Sequence, residues 1–376
     1  MKRLVLALTL MLAGAAQAET DPASAARAAA ERLKNAAQLL DKADGARDRV
    51  KALTETVHAY EEGLQALREG LRRAAIREET LARELQSRDA EISQLLGVLQ
   101  NMSASPSPVL LLHPSGPVGT ARSGMIMAEV TPALTQRAEA LRDQLEEVSI
   151  LRALQQSAVD KLQDGLTGAQ LARAALSQAI SDRTDLPKRF TEDPVKTGVL
   201  IASTETLEGF ASGLSQIAVD EVEGSLPGIA HRKGSLPLPV RGRILRRAGE
   251  PDAAGITRPG VVMVTRPHAM VSTPAAATIR YRGPLLDYGN VIILEPEAGL
   301  LMVFAGLEQV YGEIGEVLPG GSPVGIMGGP QLDAGAILSQ TEDDITAQQS
   351  ETLYIEVRES NTPVDPELWF KTDKDE

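Results

Sequence analysis

The sequence predicts a multidomain α+β protein, in which a long antiparallel coiled-coil hairpin precedes a small antiparallel β domain. Aromatic residues make up only 3% of the chain, whereas a globular core normally draws on them for buried area. Apolar residues repeat at heptad spacing through the first half. After residue 240, short runs rich in Val, Ile and Leu are separated by glycines, which is typical of strands and turns.

Residues 1–18 have the pattern of a cleaved signal peptide. Lys2 and Arg3 precede an apolar stretch that ends near Ala13, and small residues follow up to Ala18. The stretch is shorter than the ~20 residues that a membrane-spanning helix needs, which disfavours the alternative of an uncleaved anchor. The mature chain is therefore expected in the periplasm.

Composition excludes several classes of function. The chain has no cysteine, which excludes disulfides and thiol chemistry. Its formal net charge is −13, so nucleic acid would repel it. No glycine-rich phosphate loop with its lysine is present, and no Ser/His/Asp set has a supporting spacing.

Residues 19–185 are predicted to form the hairpin. In the first helix, apolar residues alternate at four- and three-residue steps, at Leu53, Val57, Tyr60, Leu64, Leu67 and Leu71. Prolines and glycines place the turn at about 103–130, and a second seam starts after Thr131-Pro132. The two seams can bury their apolar stripes on one another, although parallel dimers of each helix stay open as an alternative.

The predicted turn contains apolar residues that need a cover. They are Leu110, Leu111, Leu112, Met125, Ile126 and Met127. Either they pack against each other to complete the hairpin, or they form a surface for a partner at its tip.

Residues 195–222 are predicted to form one amphipathic helix, followed by a flexible linker at 223–239. The apolar positions include Leu207, Phe210, Leu214 and Ile217, at approximately helical spacing. An amphipathic helix between flexible segments is expected to lay its apolar face on a neighbouring domain. The β domain then spans 240–372, with an acidic loop inserted at about 330–350.

Four segments of the β domain resemble, in order, a LytM-type zinc peptidase domain. They are residues 236–242, 288–294, 317–328 and 353–358. Together with the exported coiled coil, the whole chain resembles an EnvC-type murein hydrolase activator.

Active LytM-type domains carry an H-x-G-x-D motif, an H-x-H motif and a further catalytic histidine. The corresponding positions here hold Arg258 and Val262, then Thr352 and Tyr354, and finally Gly306. Zinc needs nitrogen, sulfur or carboxylate ligands, and an arginine would repel it. The sequence therefore predicts no metal, no cofactor and no hydrolytic activity.

The resemblance implies that the chain acts by binding. Proteins of the EnvC type engage a periplasmic N-acetylmuramoyl-L-alanine amidase through the groove of the degenerate domain, where the matching positions are Tyr288, Phe304, Tyr354 and Arg358. Phe304 could equally fill the β core. The resemblance also implies a signal from the membrane complex FtsEX to the coiled coil, possible contact with peptidoglycan, and a helix that blocks the groove, for which 195–222 is the candidate.

Two alternatives belong to other classes. An active LytM-type endopeptidase would bind zinc and cleave peptidoglycan cross-links unaided. A periplasmic coiled-coil adaptor would carry its hairpin inserted between halves of its β domains, whereas here the β domain follows the hairpin whole.

Overall fold

The computed structural model of the protein describes residues 22–104, 116–183, 186–214, 228–330 and 351–372. The predicted signal peptide, Leu110 to Leu112, Ile217 and the predicted acidic insertion from residue 331 therefore lie outside the described residues. The chain divides into two compact units, Met1–Arg27 with Gln65–Leu162 and Ala28–Leu64 with Gln163–Glu376. In the described ranges, no helix has both the length and the apolar character to cross a membrane.

The α-helices of the described residues lie between residues 22 and 214. They are α1 (Pro22–Asp41), α2 (Ala46–Ser87), α3 (Asp89–Ala104), α4 (Gly116–Ser181), α5 (Pro194–Ser203) and α6 (Leu207–Leu214). Within the first unit, Arg77 pairs with Glu147 at 2.7 Å and Glu84 accepts a hydrogen bond from Gln144 at 3.4 Å. The later residue on α2 contacts the earlier residue on α4, so these two segments run antiparallel.

The same direction holds inside the second unit. Tyr60 lies against Gly168 and Leu64 against Gly165, where an added Cβ would meet the facing side chain at 2.5 Å and 2.9 Å. Glycine thus lets α4 approach α2 closely. That the two helices form one coiled coil over their whole length stays a prediction.

The predicted turn at 103–130 is wrong over its second half, because α4 begins at Gly116. Pro117 lies in the first helical turn, where a missing N–H costs nothing. Pro132, which was expected to start the helix, lies inside it. The first seam is also interrupted, since a turn at Arg88 separates α2 from α3.

The amphipathic segment forms two short helices rather than one long helix. Thr204 has an extended backbone, with φ −108° and ψ 132°, and its hydroxyl donates to the Leu200 carbonyl at 2.6 Å. The Thr206 hydroxyl then accepts from the Gly209 N–H at 3.1 Å and caps α6. Threonine hydroxyls at both positions compete with the helix for the backbone groups.

The β domain is built on one antiparallel sheet. Its strands are β1 (Gly242–Arg246), β2 (Val261–Thr265), β3 (Met270–Ser272), β4 (Ala277–Pro284), β5 (Asn290–Glu297), β6 (Leu300–Val310), β7 (Val317–Leu318), β8 (Pro323–Met327), β9 (Glu351–Glu359) and β10 (Thr362–Val364). The main order is β1-β2-β9-β6-β5-β4-β7, while β10 pairs with β9 and β8 pairs with both β3 and β6. The predicted combination of helices with an antiparallel sheet is thereby confirmed.

The central strands bury side chains on both faces, which explains their nearly continuous apolar sequence. One face, here called the core face, carries Met263, Ile292, Phe304 and Ile355 and packs against Trp369. The other face, here called the α6 face, carries Val291, Ile293, Leu301, Val303, Ala305 and Tyr354 and packs against α6. The two faces therefore bury separate clusters.

Part of the predicted flexible linker at 223–239 belongs to the β domain. Leu236 is fully buried in the core face cluster, and Ile229 is also buried there. The Leu236 N–H donates to the Trp369 carbonyl at 3.2 Å, and the Lys371 N–H donates to the Leu236 carbonyl at 2.8 Å. The prediction is wrong for 228–239 because composition alone does not show that these leucines are buried.

Within the second unit, the helix ends pack on the sheet. Leu53 and Val57 of α2 and Leu176 of α4 share a cluster with Met270 and Tyr311. Ser177 and Tyr311 hydroxyls lie 2.9 Å apart. After α4, Arg189 pairs with the buried Glu295 at 2.8 Å, and Arg280 pairs with the same carboxylate at 2.6 Å. These parts of α2 and α4, the segment after α4 and the sheet therefore share apolar and charged contacts.

Candidate partner-binding face

Strand β9 is the centre of the candidate site. Its side chains alternate, so Tyr354, Glu356 and Arg358 share one side while Leu353, Ile355 and Val357 face the core. Tyr354 stands opposite Val262 of β2 and Ala305 of β6. Directly opposed residues in antiparallel strands share a face, which places the row on the α6 face.

A buried hydrogen-bond network fixes Tyr354. Its hydroxyl accepts from the Gly260 N–H at 3.1 Å and donates to Glu356 at 2.7 Å. Arg358 donates to the other Glu356 oxygen at 2.7 Å and also to the Asn361 carbonyl. Burial and then the Glu356 charge raise the pKa of Tyr354 above its ordinary value, so the phenol stays neutral and holds its proton toward Glu356.

The open side of this network is formed by Arg258 and Tyr288. The Tyr288 and Tyr354 rings are 5.9 Å apart, and the Arg258 guanidinium lies 5.8 Å from the Tyr288 ring centroid, within cation–π range. Arg258 is exposed and Tyr288 is half-buried. These two side chains can contact a partner directly.

The structure brings together the positions that resemble a zinc site. Val262 pairs with Tyr354, and Val264 pairs with Thr352. The Gly260 N–H, from the same motif as Arg258, binds the Tyr354 hydroxyl. A cation, an aliphatic side chain and a neutral phenol already used in hydrogen bonds do not fit zinc, which takes nitrogen, thiolate or carboxylate donors.

Gly306, which matches the catalytic histidine position in the resemblance to LytM-type domains, cannot carry a side chain without a backbone shift. Gly306 has φ +94°, and an added Cβ would lie 2.7 Å from the Thr352 carbonyl oxygen. Pairing with β5 skips Gly306, since Ala305 opposes Val291 and Leu307 opposes Asn290. Gly306 is therefore a β-bulge residue that requires glycine.

Helix α6 covers the apolar part of this face. Leu207, Phe210 and Leu214 are 2%, 0% and 5% exposed, and they share one cluster with Tyr281 and Tyr354. The Phe210 and Tyr281 rings meet edge to face, with centroids 4.6 Å apart. The candidate regulatory helix thus packs on the same face as the candidate partner residues.

The structure does not bring all four predicted groove residues together. Tyr288 and Tyr354 are neighbours, and Arg358 is on the same strand face but is fully buried. Phe304 is fully buried on the core face, whereas Tyr354 is on the α6 face, because Phe304 precedes Ala305 by one residue and strand side chains alternate. The burial of Phe304 agrees with the alternative that it fills the β core.

The hairpin-tip residues are only partly described. Residues 125–127 lie in α4, and Met125 is 66% exposed. A role in partner binding stays a prediction for this segment.

Sequence reasoning missed Glu356 and Gly260. Glu356 accepts hydrogen bonds from both Tyr354 and Arg358. The two-residue period of a strand could have found Glu356, because it lies between two residues already chosen. The contact from Gly260 depends on the pairing of β2 with β9, which one sequence does not specify.

Comparisons with known proteins give the following similarities. No protein-family model matches the chain. An uncharacterized protein of Neisseria meningitidis is 26% identical over 148 residues, which are 39% of this chain and 22% of that protein. Csd3 of Helicobacter pylori aligns at 17% identity and a TM-score of 0.28, over 36% of this chain and 35% of that chain. A protein titled peptidase M23 from Pseudomonas aeruginosa aligns at 16% identity and a TM-score of 0.31, over 48% of this chain and 63% of that chain. The aligned parts thus span about a fifth of the Neisseria protein and about a third of Csd3.

Proposed function

We propose that this chain is a non-catalytic, exported activator of peptidoglycan amidases, with a degenerate LytM-type domain that binds the amidase. The observation that carries the proposal is the seating of α6 on the face that contains Tyr354 and Val262. A peptidase face that has lost its metal ligands but keeps a helix packed on it is suited to exchanging one helix for another. The periplasmic location and the role of FtsEX belong to the same proposal.

The chemistry of the face supports binding rather than hydrolysis. Arg258, Val262 and Tyr354 offer no ligand set for zinc, and Gly306 offers no general base. Tyrosine and arginine, in contrast, are the side chains that most often anchor protein interfaces. Arg258 and Tyr288 already present this chemistry at the edge of α6.

The position of α6 supports a restrained resting state. Leu207, Phe210 and Leu214 occupy the apolar surface that an incoming partner segment would need. A partner can bind there only when α6 is released from the face. The apparent affinity for the partner is therefore reduced in proportion to the fraction of molecules in which α6 is released.

The contacts at the helix ends support a route for the signal. Leu53 and Leu176 pack with Met270 of β3 and Tyr311, which follows β6. The same β6 carries Leu301, Val303 and Ala305 beneath α6. A shift of these helix ends would therefore act on a strand that forms the seat of α6. FtsEX would supply that shift in this proposal.

Release of dye-labelled peptidoglycan by purified periplasmic amidases tests the proposal. The mature protein should release no dye alone and should increase the release by at least one amidase. Deletion of 195–222 should increase this stimulation. The paired substitutions Leu207→Ser and Phe210→Ser should do so too, because they weaken the apolar contact of α6 without shortening the chain.

A matched control uses α5, where Val195 and Val199 are 73% and 62% exposed. Serine at these two positions should leave stimulation unchanged. A folded α6 variant that stimulates no better than the unmodified protein would overturn the restraint. Release of dye by the protein alone, abolished by a zinc chelator, would instead identify an active endopeptidase.

A further inference from the structure

The α6 face continues beyond α6 into a margin of arginines. Arg246 of β1 stands opposite Val262, and Arg243 stands opposite Val264. The pairing places both arginines on the same face as Tyr354, at the β1 end of the sheet. Arg258 precedes β2 and lies over Tyr288. We call Arg243, Arg246 and Arg258 the arginine margin.

The margin stays accessible while α6 is seated. Arg243 and Arg258 are exposed and Arg246 is half-buried. In contrast, the residues that α6 covers, such as Val303 and Ala305, are 0% and 2% exposed. The face therefore has a covered apolar part and an open cationic part.

The charge of the margin is not neutralised within the described residues. No carboxylate there lies within 4 Å of these three guanidinium groups, whereas the nearby Arg241 and Arg247 pair with Glu62 and Glu367. Hydrogen bonds from the Ile256 and Ala254 N–H groups lower the pKa of Asp252, and the charges of Arg246 and Arg258 add to this effect. One carboxylate leaves the margin cationic on a chain whose formal net charge is −13.

Protection of the sheet edge does not account for the whole margin. Among the described strands β1 pairs only with β2, and cations on such an edge discourage pairing with other chains. That reason covers Arg243 and Arg246. Arg258, however, is not on β1, and its guanidinium lies 5.8 Å from the centroid of the Tyr288 ring, which neighbours Tyr354 on the α6 face.

We propose that the arginine margin is the first docking point for an acidic segment of the partner protein, which binds there before α6 leaves its seat. The inference rests on the proposed function for the identity of the partner and adds its charge and the order of events. Exposed charge pairs act mainly on encounter and orientation, so the margin would raise the local concentration of the partner segment beside α6. The partner then competes with α6 for the apolar part of the face.

The test compares two variants that lose the same charge. The margin variant carries Arg243→Gln, Arg246→Gln and Arg258→Gln. The control variant carries Arg47→Gln, Arg49→Gln and Lys51→Gln, at exposed positions of α2. Binding of a purified amidase that the protein stimulates is measured by fluorescence anisotropy at low and high salt. We expect about tenfold weaker binding and a flatter salt dependence for the margin variant only, because three exposed ion pairs are lost.

A second measurement separates this inference from the proposed function. Two labelled peptides of equal length carry either glutamate or glutamine at the same positions between leucines. The glutamate peptide should bind the unmodified protein more tightly, and the margin variant should lose that preference while the control variant keeps it. Unchanged amidase affinity and an unchanged peptide preference in the margin variant would overturn the docking point. Failure of every amidase to bind, with the peptide preference intact, would overturn the proposed function alone.

Discussion

At the scale of single residues, Tyr354 is a structural anchor of the sheet. Its hydroxyl bridges the Gly260 N–H and the Glu356 carboxylate, and only 7% of the residue is exposed. The resemblance predicted which positions converge here. It did not predict that the phenol would bind the backbone of the neighbouring motif, because that contact depends on the register between β2 and β9.

Tyr354→Phe should destabilise the unit that contains the sheet by about 1–3 kcal/mol, since it leaves buried partners without a hydrogen bond. Trp369 is the single tryptophan of the chain and is 3% exposed, so its fluorescence during urea unfolding reports this unit. Tyr288→Phe is the control, because Tyr288 is half-buried, and it should change the free energy of unfolding by less than about 0.5 kcal/mol. Equal effects would contradict the anchoring role.

Gly306→Ala should destabilise the fold more than Gly249→Ala, where an added Cβ has no neighbour within 4 Å. Both Gly306 and Gly249 have positive φ, +94° and +76°, but an added Cβ meets the Thr352 carbonyl oxygen at 2.7 Å only at Gly306. Backbone strain of about 1–3 kcal/mol applies to both variants, and the clash is added at Gly306. The difference between their urea midpoints measures the clash. No difference would mean that the bulge relaxes freely.

At the scale of elements, the sequence predicted the existence of helices and strands better than their limits. Prolines led to a turn over 103–130, yet Pro117 and Pro132 are both inside α4. A proline is harmless in a first turn, and an interior proline can be tolerated at the loss of one hydrogen bond. Composition also led to a flexible linker at 223–239, yet Leu236 is buried in the core face cluster. Local composition does not show which packing surface is available.

Pro132→Ala should therefore stabilise the surrounding part of α4. The substitution restores a backbone donor and removes a ring that crowds the preceding turn, changes that favour the helix by up to about 3 kcal/mol. Hydrogen exchange of peptides from residues 125–140 should slow. Pro194→Ala provides the control, because Pro194 is in the first turn of α5 after the capping Asp193, where exchange should change little. Unchanged exchange around Pro132 would show that the neighbouring helix sets the stability there.

At the scale of the whole molecule, the proposed function depends on whether the helix ends and the sheet move as one body. In the second unit, Glu61 of α2 connects three elements. Its carboxylate pairs with Arg173 of α4 at 3.3 Å and accepts a hydrogen bond from the Met270 N–H of β3 at 3.1 Å. The apolar cluster around Leu53 and Leu176 packs against the same strand. Apolar contacts alone would allow the helix ends to slide along the sheet. The polar contacts of Glu61, in contrast, fix one position of α2 relative to α4 and β3.

This arrangement makes the joint sensitive to acid. Burial opposes the charged form of Glu61, but His58, Arg173 and the Met270 N–H outweigh it and hold the pKa below its ordinary value. Because the pKa of Glu61 is lower in the folded state, its contribution to stability is complete above the unfolded pKa and is lost as pH falls through the folded pKa.

Glu61→Gln should lower the free energy of unfolding by about 1–3 kcal/mol at pH 7, which is part of the loss expected for a broken buried pair. The cost should shrink below about pH 4, as the carboxylate of the unmodified protein also becomes neutral. Urea unfolding followed by Trp369 fluorescence measures both values, with Glu55→Gln as the exposed control on the same helix. A cost for Glu61→Gln that is the same at both pH values would show that its charge does not hold the joint.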